Sequence, residues 1–526
     1  MPDHRTRRAA GFIAAILLFA ISSPLASSRG DEPAADGAAD GAVVDESVDA
    51  VAPPDAAADQ PADSGEEATP VEPAAVEEPR TRPAAAPTDR VRLKLDVTGE
   101  IFAPAGKDAP PLRLPTSIDA MFDFTELPLR TTDSTDPTVE RRYADAVAEL
   151  RVDGVASRMS LARDARVVRV VLRGTTPSPF LERGFLTRDE LDLLEVPFDP
   201  LLAAAIRPGR DVAAGETWTI AADDAAGLLS VDTVESGSLE ATLDEVVDGT
   251  ATVTITGIID GAADGVPTHV TVEGSCTLPA DDTAEGRYTL DDPPRSAAVT
   301  IRERREAGHV APGFDVEARV SFVRAAVTAD DRGGDGTPVD AAAAPRGDAA
   351  GRPGLVWHHD PHGRFDIVHE TGWRTIEDGP DGLVMRLVDH GALVAQCSIA
   401  ALPRSSAATP PTIADVERDL ARSLAGQFSA VEHSSEATRT DGVTIVRVVA
   451  AGRAGDLPFR WIHAVLTDGQ GHRLAVTCLL EASLAERFGD ADRRLVDGIR
   501  LPAAQPAGPD ASRDREARLP QDSRTP

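Results

Sequence analysis

The sequence predicts a protein of two folded domains that is mainly antiparallel β: a large curved sheet or partly closed barrel with short helical insertions, followed by an α+β sandwich. Three observations lead there. Apolar and polar residues alternate strictly through much of the first half, as in Val91-Arg92-Leu93-Lys94-Leu95-Asp96-Val97 and Thr252-Val253-Thr254-Ile255-Thr256, the period of strands with one buried face. Asp153-Gly154 and Asp248-Gly249 each separate two alternating runs, as two-residue hairpin turns require. Beyond residue 354 segments of helical period appear between the strands.

Taken from the N-terminus, residues 1–28 have the three parts of a cleavable secretory signal: Arg5, Arg7 and Arg8, an apolar run from Ala9 to Ile21, and Ala26-Ser27-Ser28 as the cleavage site. The apolar run is too short to span a bilayer, so no stable membrane span is expected after cleavage. Residues 29–89 are almost entirely Ala, Pro, Asp, Glu and Gly, and they read as a disordered acidic spacer because they cannot bury enough surface to offset chain entropy. Residues 90–327 form the β-rich domain. Further strands are expected at Ser117–Phe124, Tyr143–Val152, Val167–Leu172, His269–Leu278, Ala297–Arg302 and Val316–Val323, with short helices at Thr187–Leu194, Pro200–Ile206 and Asp223–Leu229. Thr187 with Glu190 three positions later is a capping box.

Residues 328–353 are a second linker, and 503–526 a disordered tail. Between them, residues 354–502 carry strands near Arg364–Val368, Leu383–Val388, Leu393–Leu402, Val443–Ala450, Phe459–Leu466 and Arg473–Leu480. One helix starts at Thr412, with Ile413, Val416, Leu420 and Leu424 on one face; a second is boxed by Ser483 and Glu486, with Leu484, Phe488 and Leu495 on its face.

Two resemblances accompany this reading. Gly215-Glu216-Thr217-Trp218 and the stretch Glu303 to Phe314 resemble an uncharacterised family of secreted bacterial proteins over about residues 190–325, which implies no activity. The curved sheet with inserted helices is also similar in expected architecture to lipoprotein-carrier domains, which hold acyl chains in a concavity. The second domain resembles the PsbP/DcrB-like fold family over residues 355–502, through Phe365-x-Ile367 followed by Gly372-Trp373 and a closing helix with Phe488 and Leu495-Val496. Glu370 stands where that family usually has proline. The resemblance implies an exported interaction module and transfers no catalytic residue.

Net charge of −34 excludes nucleic acid as a partner, since phosphate binding needs clustered cations. The one cluster with chemical potential is Trp357-His358-His359-Asp360-Pro361-His362, whose imidazoles suit Zn(II), Cu(II) or Ni(II), although Pro361 and Gly363 argue for a solvated entry loop. His369 lies a strand away. The acid pairs Asp223-Asp224, Asp281-Asp282 and Asp330-Asp331 read as solvated turns. His463, Trp218 and Trp373 read as core residues. Cys276, Cys397 and Cys478 are too few for a disulfide scaffold; Cys397 and Cys478 each fall on the apolar phase of a strand, where they read as buried thiols or, in an oxidising compartment, as a bond. No catalytic, cofactor-binding or metal-ligating residue is assigned. The expectation is an exported, non-enzymatic binding or envelope-interaction protein with a protein or apolar ligand as partner. The alternatives are a carrier of an apolar or lipid ligand in the first domain, and a secreted metal-dependent hydrolase using His358–His362.

Overall fold

The computed structural model describes residues 88–103, 110–129, 136–263, 266–283, 286–308, 312–327, 350–389, 392–404 and 410–502. The expected signal, nearly all of the spacer, most of the second linker and the tail lie outside these, as does Asp330-Asp331. All described residues belong to one unit.

Alternation becomes a single wide sheet. In chain order the first half supplies β1 (Asp89–Ala103), β2 (Leu112–Leu129), β3 (Thr138–Val152), β4 (Val155–Ser160), β5 (Val167–Arg173), β6 (Thr176–Phe180), β7 (Val212–Ala213), β8 (Thr217–Ile220), β9 (Thr233–Val247), β10 (Thr250–Ala263), β11 (Val266–Pro279), β12 (Asp281–Asp282), β13 (Arg287–Thr289), β14 (Ser296–Arg305) and β15 (Gly313–Ala326). Twelve of them pair antiparallel in the order β6-β5-β3-β2-β1-β15-β14-β11-β10-β9-β8, with β4 alongside β3; β12, β13 and β7 make a small separate sheet. The ladder starts at β6 and ends at β8 without closing, so the sheet is open and the barrel alternative is not what forms. The Asp153-Gly154 and Asp248-Gly249 hairpins turn through positive φ at both residues, the conformation that matches strand twist.

One face of this sheet is buried along its length. Leu95, Ala120, Leu150, Val253 and Ile255 are all 0% exposed, so no water-sized space adjoins them. Their sequence neighbours Lys94, Asp96, Asp119, Glu149 and Thr254 point to the other face, which is the physical content of the alternation. Full burial of each large aliphatic contributes roughly 1.5–3 kcal/mol. Short helices lie against the apolar face: α1 (Arg188–Leu194), the 3₁₀ turn Leu202–Ile206 and α2 (Ala222–Leu228). The Thr187 hydroxyl accepts from the Glu190 amide at 3.3 Å while the Glu190 carboxylate accepts from the Thr187 amide at 2.9 Å, the expected capping box.

The second half comprises β16 (Leu355–His359), β17 (Asp366–Glu370), β18 (Trp373–Gly379), β19 (Gly382–Asp389), β20 (Ala392–Leu402), α3 (Ile413–Leu424), β21 (Phe428–Thr438), β22 (Thr444–Ala454), β23 (Leu457–Thr467), β24 (Arg473–Glu481), α4 (Ala485–Phe488), α5 (Ala491–Gly498) and β25 (Ile499–Arg500). A seven-stranded antiparallel sheet runs β18-β19-β20-β24-β23-β22-β21. On one face α3 packs Val416 and Leu420 onto Val446, Val448, Ala450 and Val465. On the other, the β16-β17-β25 sheet, α4 and α5 close a second core around Ile367, Trp373, Phe488 and Leu495.

Two local expectations differ from the structure, and one strand is added to them. The final helix is two, because Gly489 adopts φ 57° and stops α4 after one turn; the Ser483 hydroxyl turns back to Glu481 instead of capping. Strand β21 carries no readable alternation, since it lies at the sheet edge, is mostly exposed and pairs β22 through two register shifts. The boundaries expected around the linkers are also shifted. Asp89 already pairs in β1, and Gly351 donates its amide to the Glu182 carbonyl at 3.0 Å.

Strand β16 joins the halves. Val356 sits in the first core, the Trp357 amide donates to the Leu186 carbonyl at 2.8 Å, and Trp357 bridges Thr187 in parallel while the same strand pairs β17 of the second half.

Candidate functional site

A cleft opens at the β6 end of the large sheet. Strand β3 supplies Arg141 and Tyr143, β5 supplies Val170, β6 supplies Pro177 and Pro179, and the chain after α1 supplies Glu195 and Val196. The far wall is Ala226 to Val231, at the end of α2. Its volume is about 50 Å³. Two backbone features hold the walls in place. Gly227 packs so closely on the Thr175 carbonyl that a β-carbon would lie 2.4 Å from its oxygen, and Phe198 and Ser230 hold positive φ values of 58° and 55°. Phe198 is fully buried, with its amide bonded to the Leu228 carbonyl at 2.7 Å, and this surrounding packing sustains a conformation that disfavours a bulky residue.

Behind the cleft lies a buried charge network. The Arg141 guanidinium grips Asp199 with two bonds of 2.7 and 2.6 Å and donates to Glu126 at 2.9 Å; Arg324 donates to the other Glu126 oxygen at 3.0 Å and to the Pro200 carbonyl at 3.1 Å. Burial opposes the Arg141 charge, but Asp199 and Glu126 outweigh it and hold the group protonated well above its ordinary range. Burial pushes the neighbouring Tyr143 phenol up to about 12, so it remains a neutral hydroxyl. The hydroxyl of Thr175, on the cleft wall, is buried without a hydrogen-bond partner. The arrangement is one of neutralised charge beside apolar wall and hydroxyls. It pairs no nucleophile with a base, and Arg141 and Arg324 are each already paired with carboxylates.

The histidine-rich stretch takes a different form from the loop expected. His358 and His359 are successive residues of β16 and face opposite ways, so they do not converge on one ion. Each imidazole has its own carboxylate: His358 lies 3.6 Å from Asp378, His359 lies 2.6 Å from Asp366, and His362 lies 3.8 Å from Asp360. Asp360, fully buried, is itself held by the Arg364 side chain at 2.5 and 2.9 Å and by the Arg364 amide at 2.8 Å. Burial lowers the pKa of His358. Among the described residues no group of three or more His, Cys, Asp or Glu side chains is placed to hold a metal.

The remaining candidates are distributed through the cores. The Trp218 indole donates to the Ile206 carbonyl at 2.8 Å, Trp373 meets Phe488 edge-on, and the His463 ring bonds Thr477 at 2.8 Å across the strand pair. Asp223 and Asp224 occupy the first turn of α2, where carboxylates favour the helix dipole, and Asp281-Asp282 is an exposed two-residue strand. All three cysteines are buried thiols. Sequence reasoning passed over the Arg141 network, yet a signal was there. Glu126, Arg141 and Arg324 each occupy the inward phase of their strands, two residues from Phe124, Tyr143 and Phe322.

The chain matches no known family model, and no curated protein matches it. Among solved structures it is similar to cyanobacterial PsbP from Synechocystis sp. PCC 6803, at 14% identity over 28% of this chain and 92% of that one, with a TM-score of 0.24. It is also similar to a structure titled for lipid–protein interactions in lipovitellin, at 8% identity over 51% of this chain, with a TM-score of 0.24; the match spans 27% of that protein. No described helix is long and apolar enough to cross a membrane.

Proposed function

We propose that the chain is an exported, non-enzymatic binding protein whose ligand site is the cleft between β5, β6 and α2. In this reading the second half is a PsbP/DcrB-like interaction domain, and the acidic spacer holds both away from the export machinery. Export rests on the charge, apolar length and small-residue pattern of residues 1–28. The PsbP/DcrB-like assignment rests on Phe365-x-Ile367, Gly372-Trp373 and the order of strands and helices around them.

The observation that carries the binding reading is the buried Thr175 hydroxyl, left without a protein partner beside a largely apolar wall. A buried polar group normally finds a partner, and a ligand with an apolar body and one polar end supplies it. A volume of about 50 Å³ suits a short aliphatic group. It does not suit a lipid load held within the sheet, whose apolar face is already filled by its own side chains.

Thermal melts of the full chain with short-chain fatty acids, aliphatic alcohols and small apolar amides test this. A ligand that binds the native state at a hundred times its Kd stabilises by about 2.7 kcal/mol, and Thr175→Val should weaken that response. Absence of any shift at saturation, or an equal shift in the variant, overturns the reading. Mass determination of protein recovered from an exporting host tests the compartment, with cleavage after Ser28 expected.

A further inference from the structure

Cys397 on β20 and Cys478 on β24 are direct partners in the antiparallel register. Both are 0% exposed and lie on the same face of the seven-stranded sheet, in the core formed with Ile399, Val476 and Leu480. Directly opposed residues of an antiparallel pair have Cα atoms about 4.5 or 5.5 Å apart, and both spacings fall inside the roughly 4.4–6.8 Å that a disulfide spans. Cys276, the third cysteine, is buried in the other core and faces no thiol.

We infer that Cys397 and Cys478 form an intramolecular disulfide when the chain folds in the presence of an external disulfide, and that Cys276 stays a thiol. The thiolate of one cysteine attacks the external disulfide, giving a mixed disulfide and releasing one external thiolate. The second cysteine, as thiolate, attacks the protein sulfur of that mixed bond; the Cys397–Cys478 bond forms and the second external thiolate leaves. The two protons lost by the cysteines end on the two released thiols. One external disulfide is thereby reduced to two thiols for each bond formed. Complete burial determines the timing: the exchange takes place while β20 and β24 are coming together, and once the core closes neither sulfur is reachable by oxidant or reductant. The bond encloses a loop of about 80 residues, and a cross-link of that span restricts the unfolded chain strongly. The inference does not depend on the cleft, so it stands or falls separately from the binding reading.

The experiment refolds the full chain from denaturant in a mixture of oxidised and reduced glutathione, then unfolds it without reductant in excess N-ethylmaleimide. One maleimide adduct is expected, on Cys276, together with a linked peptide pair containing Cys397 and Cys478. Three adducts, or a bond that includes Cys276, overturns the inference. As an independent measurement, the reduced chain should melt roughly 5–15 °C below the oxidised one. The C397A/C478A double variant should show no such difference between oxidising and reducing conditions. An equal difference in that variant would show that the effect lies elsewhere and would overturn the assignment.

Discussion

His369 is the group through which acid should act on this fold. It lies on β17 opposite Val356 of β16, is 4% exposed, and its Nδ1–H donates to the Glu370 carbonyl at 2.9 Å. Burial is the main reason its pKa is pushed down to about 4; the backbone bond pulls the other way, and the nearby His358 and Arg188 add to the depression. The unfolded chain takes up this proton near pH 6.5 and the folded chain only near 4. Between those values the unfolded state binds more protons, so stability falls with pH. It is intact above the unfolded pKa, declines as pH drops through the window, and levels off below the folded one. A depression from 6.5 to about 4 corresponds to roughly 3 kcal/mol at about 1.4 kcal/mol per unit. Burial also lowers the pKa of His358 and His463, which adds in the same direction. The assay is urea denaturation of the full chain at steps of pH from above 7 to about 4, with stability extrapolated to water. His369→Leu removes the titrating group at some cost in stability, and its curve should be flatter than that of the wild type by about 3 kcal/mol across the window. Parallel curves would refute the argument.

Three further outcomes follow from the same structure. Arg141→Met leaves Asp199 buried without its cation and Glu126 with Arg324 alone, and urea denaturation should show a loss of about 3–5 kcal/mol. Gly227→Ala sets a β-carbon 2.4 Å from the Thr175 carbonyl oxygen, and the same measurement should show a loss of about 1–3 kcal/mol. Trp357→Pro deletes the amide that donates to the Leu186 carbonyl, and a single thermal transition in the wild type should separate into two in the variant by calorimetry.

The sequence announced its regular parts well because they obey one-dimensional rules. Strict alternation in β1, β10 and β15 survives folding since each strand has one buried and one wet face, and the Asp-Gly turns carry their conformation in two residues. The capping boxes at Thr187 and Thr412 are likewise local. What escaped depends on chain neighbours far apart in sequence. Whether the sheet closes is decided by whether β6 pairs β8, two strands far apart in the chain. Edge strand β21 packs too little of either face to show a period. The histidine cluster misled for a related reason: three imidazoles in five positions look convergent in a string, but β16 turns His358 and His359 apart and a separate carboxylate lies beside each. The cleft was invisible because its walls come from β3, β5, β6, the chain after α1 and α2, joined by Arg141 and Asp199 across 58 positions.

The cleft lies at the β6 end for a physical reason. A sheet with one apolar face must end somewhere, and at its last strands the face runs out of neighbours to cover it. Two features of the sequence meet that difficulty here. Pro177 and Pro179 alternate along β6, and since proline cannot donate to a ladder they fit only where the backbone points away from β5, which blunts the edge against further strand pairing. Inward from them, Arg141 replaces an aliphatic residue in the phase of Val139 and Tyr143, and by reaching Asp199 it ties the segment between α1 and α2 down over the exposed end. A buried ion pair of this kind adds little net stability over a well-packed apolar substitute, because desolvation offsets most of the attraction. Its geometric demand is what distinguishes it: two bonds from one guanidinium to one carboxylate set the distance and angle between sheet and cover, where aliphatic packing would allow them to slide. The gap left between that fixed cover and the proline edge is the cleft, so the residues that terminate the sheet are also the ones that shape the candidate site.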